Sequence, residues 1–363
     1  ATLLTALATQ SGSIVPHEVY DDPGKKYLQH PVGCGPFSFE SWEHGRDIRM
    51  AAFHDHWKGP PGIAGIDVRI IPDVTTALLE YRTGGLEIDN EVPSGQRRKV
   101  SEEMGSQYRV RPRISTSYIL LNQATGPFSE SRDLRLAVNY AVDRDRIAKV
   151  LQEGKDQASS WILPPDLAGG RTTPGPYGYD PETAKKLLAG AGFPGGKGLP
   201  PLTLLSPDNE SIRRYAESVQ NDLREIGLNV KLEALDFNAY YEALFGSPGK
   251  GPKADMAVLI WFADYPDPEA VLRQLFRSDS AMNFGRYHND EVDRLLDEAD
   301  AETNPSRRQE IFLSAEKVLL DDGAIVPLHH QGDDLLVKPY VTGIVQSPLG
   351  DFAVPLELAG MSR

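Results

Sequence analysis

Residues 202–235 read LTLLSPDNESIRRYAESVQNDLREIGLNVKLEAL, and the fold turns on how that stretch is parsed. Leu202 to Ser206 is an apolar run of strand length, broken by Pro207. Asn209 to Ile226 reads as an amphipathic helix closed by Gly227. Val230, Leu232 and Ala234 then alternate with polar residues, as a half-buried strand does. Strand, helix and strand in that order make a βαβ unit. Asp236 to Phe245 reads as a helix rich in aromatics, and Gly246 to Pro252 as a turn-rich loop. Asp255-Met-Ala-Val-Leu-Ile-Trp261 is apolar enough to be a central strand, covered on both faces. Strands alternating with helices predict an α/β fold.

The pattern continues on both sides. Upstream, Phe37-Ser-Phe-Glu-Ser-Trp42 and Asp47-Ile-Arg-Met-Ala-Ala-Phe53 flank a turn at His44-Gly45 and read as a hairpin. Ile66 to Ile71 alternates again. Val74 to Arg82 is helical and stopped by Gly84-Gly85, and Leu86 to Asp89 is a short strand. Ser117-Tyr-Ile-Leu-Leu-Asn122 is a buried strand. Arg132 to Gln152 is predicted as the longest helix, its apolar residues recurring at three- and four-residue steps. Asp180-Pro181 opens a helix that ends at Gly190-Ala-Gly192. Downstream, helices are predicted near Asn289–Ala301 and Pro305–Asp321, and strands at Ala324–His329 and Leu335–Val337.

The chain has 363 residues, 40% hydrophobic and 25% charged, an ordinary globular balance that excludes disorder as the main state. That length suggests two domains, or one large one. The formal net charge of −14 disfavours nucleic acid as a partner. The one dense basic run, Arg97-Arg98-Lys99, reads as a solvated face. A single Cys excludes a disulfide framework. No apolar run approaches the ~18–20 residues of a membrane-spanning helix. The first eight residues lack the basic start and apolar core of a secretory signal.

No catalytic set assembles from the sequence. There is no nucleophile elbow, phosphate loop or dinucleotide-type glycine pattern. Cys34, in Gly33-Cys34-Gly35-Pro36, reads as a small residue in a tight turn rather than a nucleophile. His54 and His56 would share one side of a strand, but nothing with ligand spacing completes a metal site. His329 and His330 would face opposite ways. The densest constellation is Trp261-Phe-Ala-Asp264-Tyr265-Pro-Asp267-Pro268, at the end of the apolar strand. Ligands of open α/β sheets bind beyond the carboxyl ends of strands. A carboxylate there, flanked by Trp and Tyr, suits an ammonium group. Asp267 reads as a helix cap. For Asp264 and Trp261 a site and an ordinary strand-to-helix turn are both open on spacing alone.

Several segments together resemble the family 5 extracellular solute-binding proteins, the peptide- and nickel-binding receptors of ABC importers. Pro31-Val-Gly-Cys-Gly-Pro-Phe37, Ser41-Trp42 and His54-Asp-His-Trp-Lys-Gly59 are similar to one family stretch. Ile70-Ile-Pro-Asp73 with Gly84-Gly-Leu-Glu-Ile-Asp89 is similar to a second. Arg132 to Arg144, Tyr179-Asp-Pro-Glu182 through Gly192, and Trp261-x-x-Asp264-Tyr265 with Tyr287 follow in family order. The likeness runs from about Ile14 to Val345. There are two departures. Family members carry roughly 150 further residues before the Pro-Val-Gly segment, more than a loop could supply, so the chain is expected to lack part of the first lobe. The family's Gly-Thr-Gly is Gly33-Cys34-Gly35, a nearly isosteric change.

The resemblance implies a two-lobed, periplasmic-binding-protein-like α/β fold of type II. Lobe I (partial) would be 1–117, lobe II 118–328, and 329–363 the return to lobe I. It implies ligand enclosure by hinge closure. It also implies, residue by residue, that Asp264 meets a peptide's α-ammonium, with Trp261, Tyr265, Phe237, Tyr118 and His330 around it. Val258 stands where a relative has an arginine for the ligand's carboxylate, so that anchor is absent. No enzymatic activity, cofactor or metal is implied. The expected partners are a small peptide or similar solute and importer permease subunits, without nucleic acid, and with the membrane reached only through an anchor outside this chain. The expected location is periplasmic or lipid-anchored at a bacterial surface. An effector-sensing domain of a transcription regulator carries the same fold and is the alternative; an enzyme such as a Cys34 or Asp-dyad hydrolase is a distant third. A truncated first lobe would make this chain alone a poor receptor, with an apolar face prone to self-association.

Overall fold

The computed structural model describes residues 7, 9, 12–14, 16–21, 29–246, 252–345, 347–350 and 355–362. Most of the loop expected at Gly246–Pro252 lies outside the described residues. The chain divides into two compact units. One is formed mainly by Pro112–Gly332, the other by Ala6–Arg111 with Asp333–Arg363.

The first unit is organised by a six-stranded sheet. Its strands are β1 (Ser115–Leu121), β2 (Gln157–Ala158), β3 (Leu202–Pro207), β4 (Val230–Leu235), β5 (Met256–Phe262) and β6 (Ile325–His330), in spatial order β2-β6-β1-β5-β3-β4. The βαβ reading holds: β3 and β4 pair in parallel, Leu202 with Val230 through Pro207 with Leu235, joined by the helix Glu210–Glu225. Asn209 caps that helix by accepting from Ile212 N at 3.1 Å. The strand expected to be central is central, since β5 lies between β1 and β3. β1 runs antiparallel to both β5 and β6. The carboxyl ends of β3, β4, β5 and β6 therefore share one edge of the sheet with the start of β1.

One face of the sheet carries the main core. Ile119, Leu121, Leu204, Val258 and Val326 pack there with Leu134, Val138, Tyr215, Val219 and Leu223 from two helices. Each fully buried aliphatic side chain of this kind stabilises by about 1.5–3 kcal/mol. Gly227 sits at φ +96°, where a Cβ would also collide with the carbonyl of Gly195. That is why the turn from helix to β4 uses glycine.

One long helix is corrected. Arg132 to Gln152 is not continuous: an α-helix spans Arg132–Ala141, Val142 is extended, and a separate π-helical turn covers Arg146–Leu151. Polar side chains break the apolar period. Asp143 donates its N–H to buried Asp222 and accepts from Arg146 N at 2.9 Å, so the second segment starts afresh. The longest helix is Pro305–Asp321, at 17 residues.

The second unit holds the expected hairpin. Phe37–Glu43 pairs antiparallel with Asp47–Ala52, which pairs with Gly65–Arg69. A small core of Leu78, Tyr81, Val92, Val100 and Leu336 joins the helix Val74–Thr83 to the returning strand Gly332–Val337. The basic run is corrected at Arg97 alone, since Arg98 and Lys99 are exposed as expected. Arg97 begins the helix Arg97–Met104 and is buried, its Nε donating to Asp334 at 3.0 Å. Asp334 also accepts from Tyr108 Oη at 2.8 Å and Val92 N at 3.2 Å. A buried carboxylate is tolerable because its lone pairs are filled in this way. Nearby Asp89 is pushed up to about 6, chiefly by burial. His54 and His56 lie in a turn past the strand rather than on it. Cys34 is exposed, so it does not act as a buried filler.

Candidate functional site

The shared strand edge of the first unit gathers most of the residues singled out in the sequence. At the end of β5, Trp261 pairs with Thr116 of β1. Its indole Nε1 donates to Ala270 O at 2.7 Å, fixing the ring against the helix Glu269–Phe276. Asp264 follows, exposed at a bend. Its carboxylate has no hydrogen-bond or ion-pair partner among the described residues. Asp267 is structural, as expected: Oδ1 accepts from Glu269 N at 2.9 Å, and the carboxylate takes the Arg308 guanidinium at 2.6 and 3.0 Å. Two neighbouring aspartates thus divide, one consumed by the fold and one left facing water.

Tyr265 is half-buried and donates to Glu269 Oε2 at 3.2 Å. Burial, then the neighbouring Glu269 carboxylate, pushes its hydroxyl up, so it stays a neutral donor. At the end of β4, Asp236 accepts from the N–H groups of Asn238 and Ala239 and so launches the helix Phe237–Phe245. Phe237 heads that helix. It is 70% exposed, with its ring 4.7 Å from Tyr241. An aromatic this exposed at a strand edge is unusual for a core residue.

Tyr118 and His330 stand apart from these four in being buried. Tyr118 sits mid-strand, opposite Leu259 and Pro327. His330 ends β6, and its Nδ1 lies 2.8 Å from Ser115 O. That carbonyl can only accept, so Nδ1 carries the proton. Burial pushes His330 down to about 4, so the ring is neutral at pH 7. Both side chains are buried; His330 stands at the shared strand edge and Tyr118 in the middle of its strand.

A second polar group lies on the main-core side. His329 pairs with Ser117 across the strands, stacks edge-on with Tyr215, and brings Nε2 within 3.1 Å of Asp156. Asp156 also accepts from Gly332 N at 3.1 Å and lies 3.2 Å from Lys155 Nζ. Burial pushes His329 down despite Asp156. Its unfolded form therefore binds a proton more readily than its folded form. Stability is expected to fall as pH drops below about 6.5, the ordinary His value. A His329→Gln variant should show a shallower decline from pH 7 to 5 in urea titrations, and parallel curves would refute the assignment.

Sequence reasoning missed Arg113, whose guanidinium lies 4.7 Å from the Phe262 ring. It also missed buried Glu316, which accepts from Ile162 N at 3.0 Å and Leu163 N at 2.8 Å and pairs with Arg171. Only the strand register could have flagged the first, and no local signal flags the second. Among the described residues no cluster of three or more His, Cys, Asp or Glu could hold a metal ion. No helix among them is long and apolar enough to cross a membrane.

The model of bacterial extracellular solute-binding proteins, family 5 (middle) matches residues 1–283. Heme-binding protein A of Haemophilus influenzae is 28% identical over 361 residues, covering 96% of this chain and 64% of that protein. Glutathione-binding protein GsiB of Escherichia coli is 25% identical over 334 residues, covering 90% and 64%. The chain thus spans 64% of the length of these curated relatives. Among solved structures, the periplasmic binding protein DppA of Helicobacter pylori, in complex with the peptide STSA, superposes with a TM-score of 0.83 at 25% identity, covering 100% of this chain and 70% of that one. The substrate-binding protein CtaP of Listeria monocytogenes gives a TM-score of 0.84 at 23% identity, covering 96% and 72%, a likeness of fold alone. The α/β binding-protein fold implied by the sequence is the fold of these structures. With its family model matching well over half of its residues, the chain belongs to the bacterial extracellular solute-binding proteins, family 5.

Proposed function

We propose that the protein is a solute-binding receptor for an ABC importer, that it takes small peptides, and that it does no chemistry on them. The two compact units are read as the two lobes, and the receptor as working outside the cytoplasmic membrane beside its permease. The observation that carries the ligand class is Asp264. It is an exposed carboxylate without a partner at the carboxyl edge of a parallel strand, between Trp261 and Tyr265. Such a group suits an ammonium, and the flanking rings lower the local dielectric and add apolar contact. Phe237 extends the edge as a surface for a side chain. Tyr118 and His330, being buried, would act by backing these residues.

Relatives carry names for heme and glutathione binding as well as peptide binding. The carboxylate favours a ligand with a free amine, hence a peptide before heme. A thermal-shift screen of di- and tripeptides, glutathione and heme at millimolar concentration tests this, since a ligand that binds only the folded state raises Tm. Free-amine peptides should raise it. A response to heme alone, or to no free-amine compound, would overturn the reading.

A further inference from the structure

Strand β6 ends in two adjacent buried histidines, and just after them, between Gly332 and Asp333, the chain passes from the first unit to the second. That stretch is tied down by side chains and carbonyls from elsewhere in the first unit. Ser115 O takes the proton of His330 Nδ1, Ser115 Oγ takes the Gln331 N–H at 3.1 Å, and Asp156 Oδ1 takes the Gly332 N–H at 3.1 Å. The polar groups around these ties are only half satisfied. Neither ring nitrogen of His329 has a hydrogen-bond partner in the protein, nor do His330 Nε2, Ser117 Oγ, Tyr215 Oη and Asp156 Oδ2, and all of these atoms are buried. His329 Nε2 lies 3.1 Å from Asp156 Oδ2, within ion-pair reach but without the alignment of a hydrogen bond. Ser117 stands opposite His329 in the ladder, and Tyr215 meets its ring edge-on, so the orphaned atoms gather around one ring. A low dielectric penalises such atoms, and opening to water relieves them. The cover is also thin, because on the outer side both histidines pair with β2, a strand of two residues.

We propose that His329 and His330 form an acid-released pin: as pH falls from 7 to 5, the segment from His329 to Gly332 opens locally and slackens the chain link to the second unit, while the rest of the sheet stays closed. The pin goes beyond the receptor reading and does not depend on the ligand. Asp156 faces His329 from the segment before β2, with Lys155 Nζ 3.2 Å from its carboxylate. Tyr215 faces the same ring from the helix Glu210–Glu225, and His330 is the next residue along the strand. Asp156 favours a charged His329, Lys155 opposes it, and burial outweighs both. On His330 burial outweighs the Ser115 carbonyl, and a second charge beside His329 is opposed as well. Both rings are therefore neutral in the closed form. In water each recovers an ordinary value near about 6.5. The open form then binds protons that the closed form refuses, so acid favours opening, and two sites make the dependence steep. Beyond Gly332, Asp333 is held by Arg111 at 2.8 Å, a pair with no group that ordinarily titrates between pH 5 and 7, so the tie on the far side of the link persists.

Amide hydrogen exchange of the full chain from pH 7 to 5, expressed as protection relative to the intrinsic rate at each pH, tests the proposal. Each histidine that charges on opening should lower the protection of Gln331 and Gly332 by roughly twentyfold over this range, and the pair by roughly several hundredfold. Those amides should exchange faster than the ladder between β3 and β4 at every pH. Urea below the unfolding range should speed exchange in that ladder and hardly touch Gly332, because a local opening exposes little surface. His329→Gln and His330→Gln should each remove about one of the two factors, and the double variant should leave Gly332 independent of pH. Protection and urea dependence at Gly332 equal to those of the β3–β4 ladder would mean that the segment opens only when the unit unfolds, and would overturn the pin. Unchanged protection at Gly332 in the wild type, or a pH dependence that survives in the double variant, would overturn it too. The wild-type series alone separates local from global opening, even where a variant fails to fold.

Discussion

Replacing Glu316 with alanine is expected to lower the unfolding free energy by about 3–5 kcal/mol, the range for breaking a buried charge pair. The side chain is wholly buried in the helix Pro305–Asp321. One oxygen accepts from the N–H groups of both Ile162 and Leu163, and the other takes Arg171. Arg171 in turn stacks on Trp161, 3.9 Å from its ring centroid. The same segment is tied to the sheet where Thr116 Oγ1 donates to Ile162 O at 2.6 Å. Removing the carboxylate leaves two buried N–H groups without acceptors and a guanidinium without its counter-charge. Unsatisfied buried donors carry most of such a penalty. Glu316→Gln keeps an amide oxygen for the backbone but loses the charge, so its loss should be smaller, about 1–3 kcal/mol. Urea denaturation of the three proteins at neutral pH measures the order. An alanine variant within 1 kcal/mol of wild type, below the usual cost of one orphaned buried donor, would contradict this account.

Glu316 also marks the limit of what the sequence discloses. The elements were legible because their causes are local. Asn209, Asp236 and Asn304 announce helix starts through side chains that accept from N–H groups two or three residues on. Gly227 marks a turn through its own backbone. The uninterrupted apolar run before Trp261 foretold a central strand because burial on both faces demands it. Where the cause is distant, the reading failed. Arg97 reads as a solvated charge from its neighbours, yet its partner Asp334 lies 237 residues away. The helix from Arg132 reads as unbroken because Asp222, which takes the Asp143 amide, is 79 residues on. The site was legible in the same uneven way. Trp261, Asp264 and Tyr265 lie together in one motif at a strand end. Tyr118 was legible as part of a buried strand, whereas nothing near His330 in the chain hinted that it would be buried.

Asp264 carries the second large effect. A peptide amine that leaves water for a binding site needs an anion, because an unpaired buried charge costs several kcal/mol. Asp264 is free to supply one, while Asp267 beside it is already held by Arg308 and the helix start. Asp264→Asn keeps the shape and removes the charge. It should weaken binding of a free-amine peptide by about 2–5 kcal/mol. Stability should hardly change, because the side chain is exposed and makes no contact that the fold depends on. N-acetylating the peptide removes the same interaction from the other side. The two changes together should therefore cost little more than either alone. The measurement that tests the central claim most directly is titration calorimetry on the four combinations of wild type and Asp264→Asn with free and acetylated peptide. Strong non-additivity is the predicted result, with either change alone giving nearly the whole loss. Additive losses, or an Asn variant that binds the free peptide as well as wild type does, would contradict it.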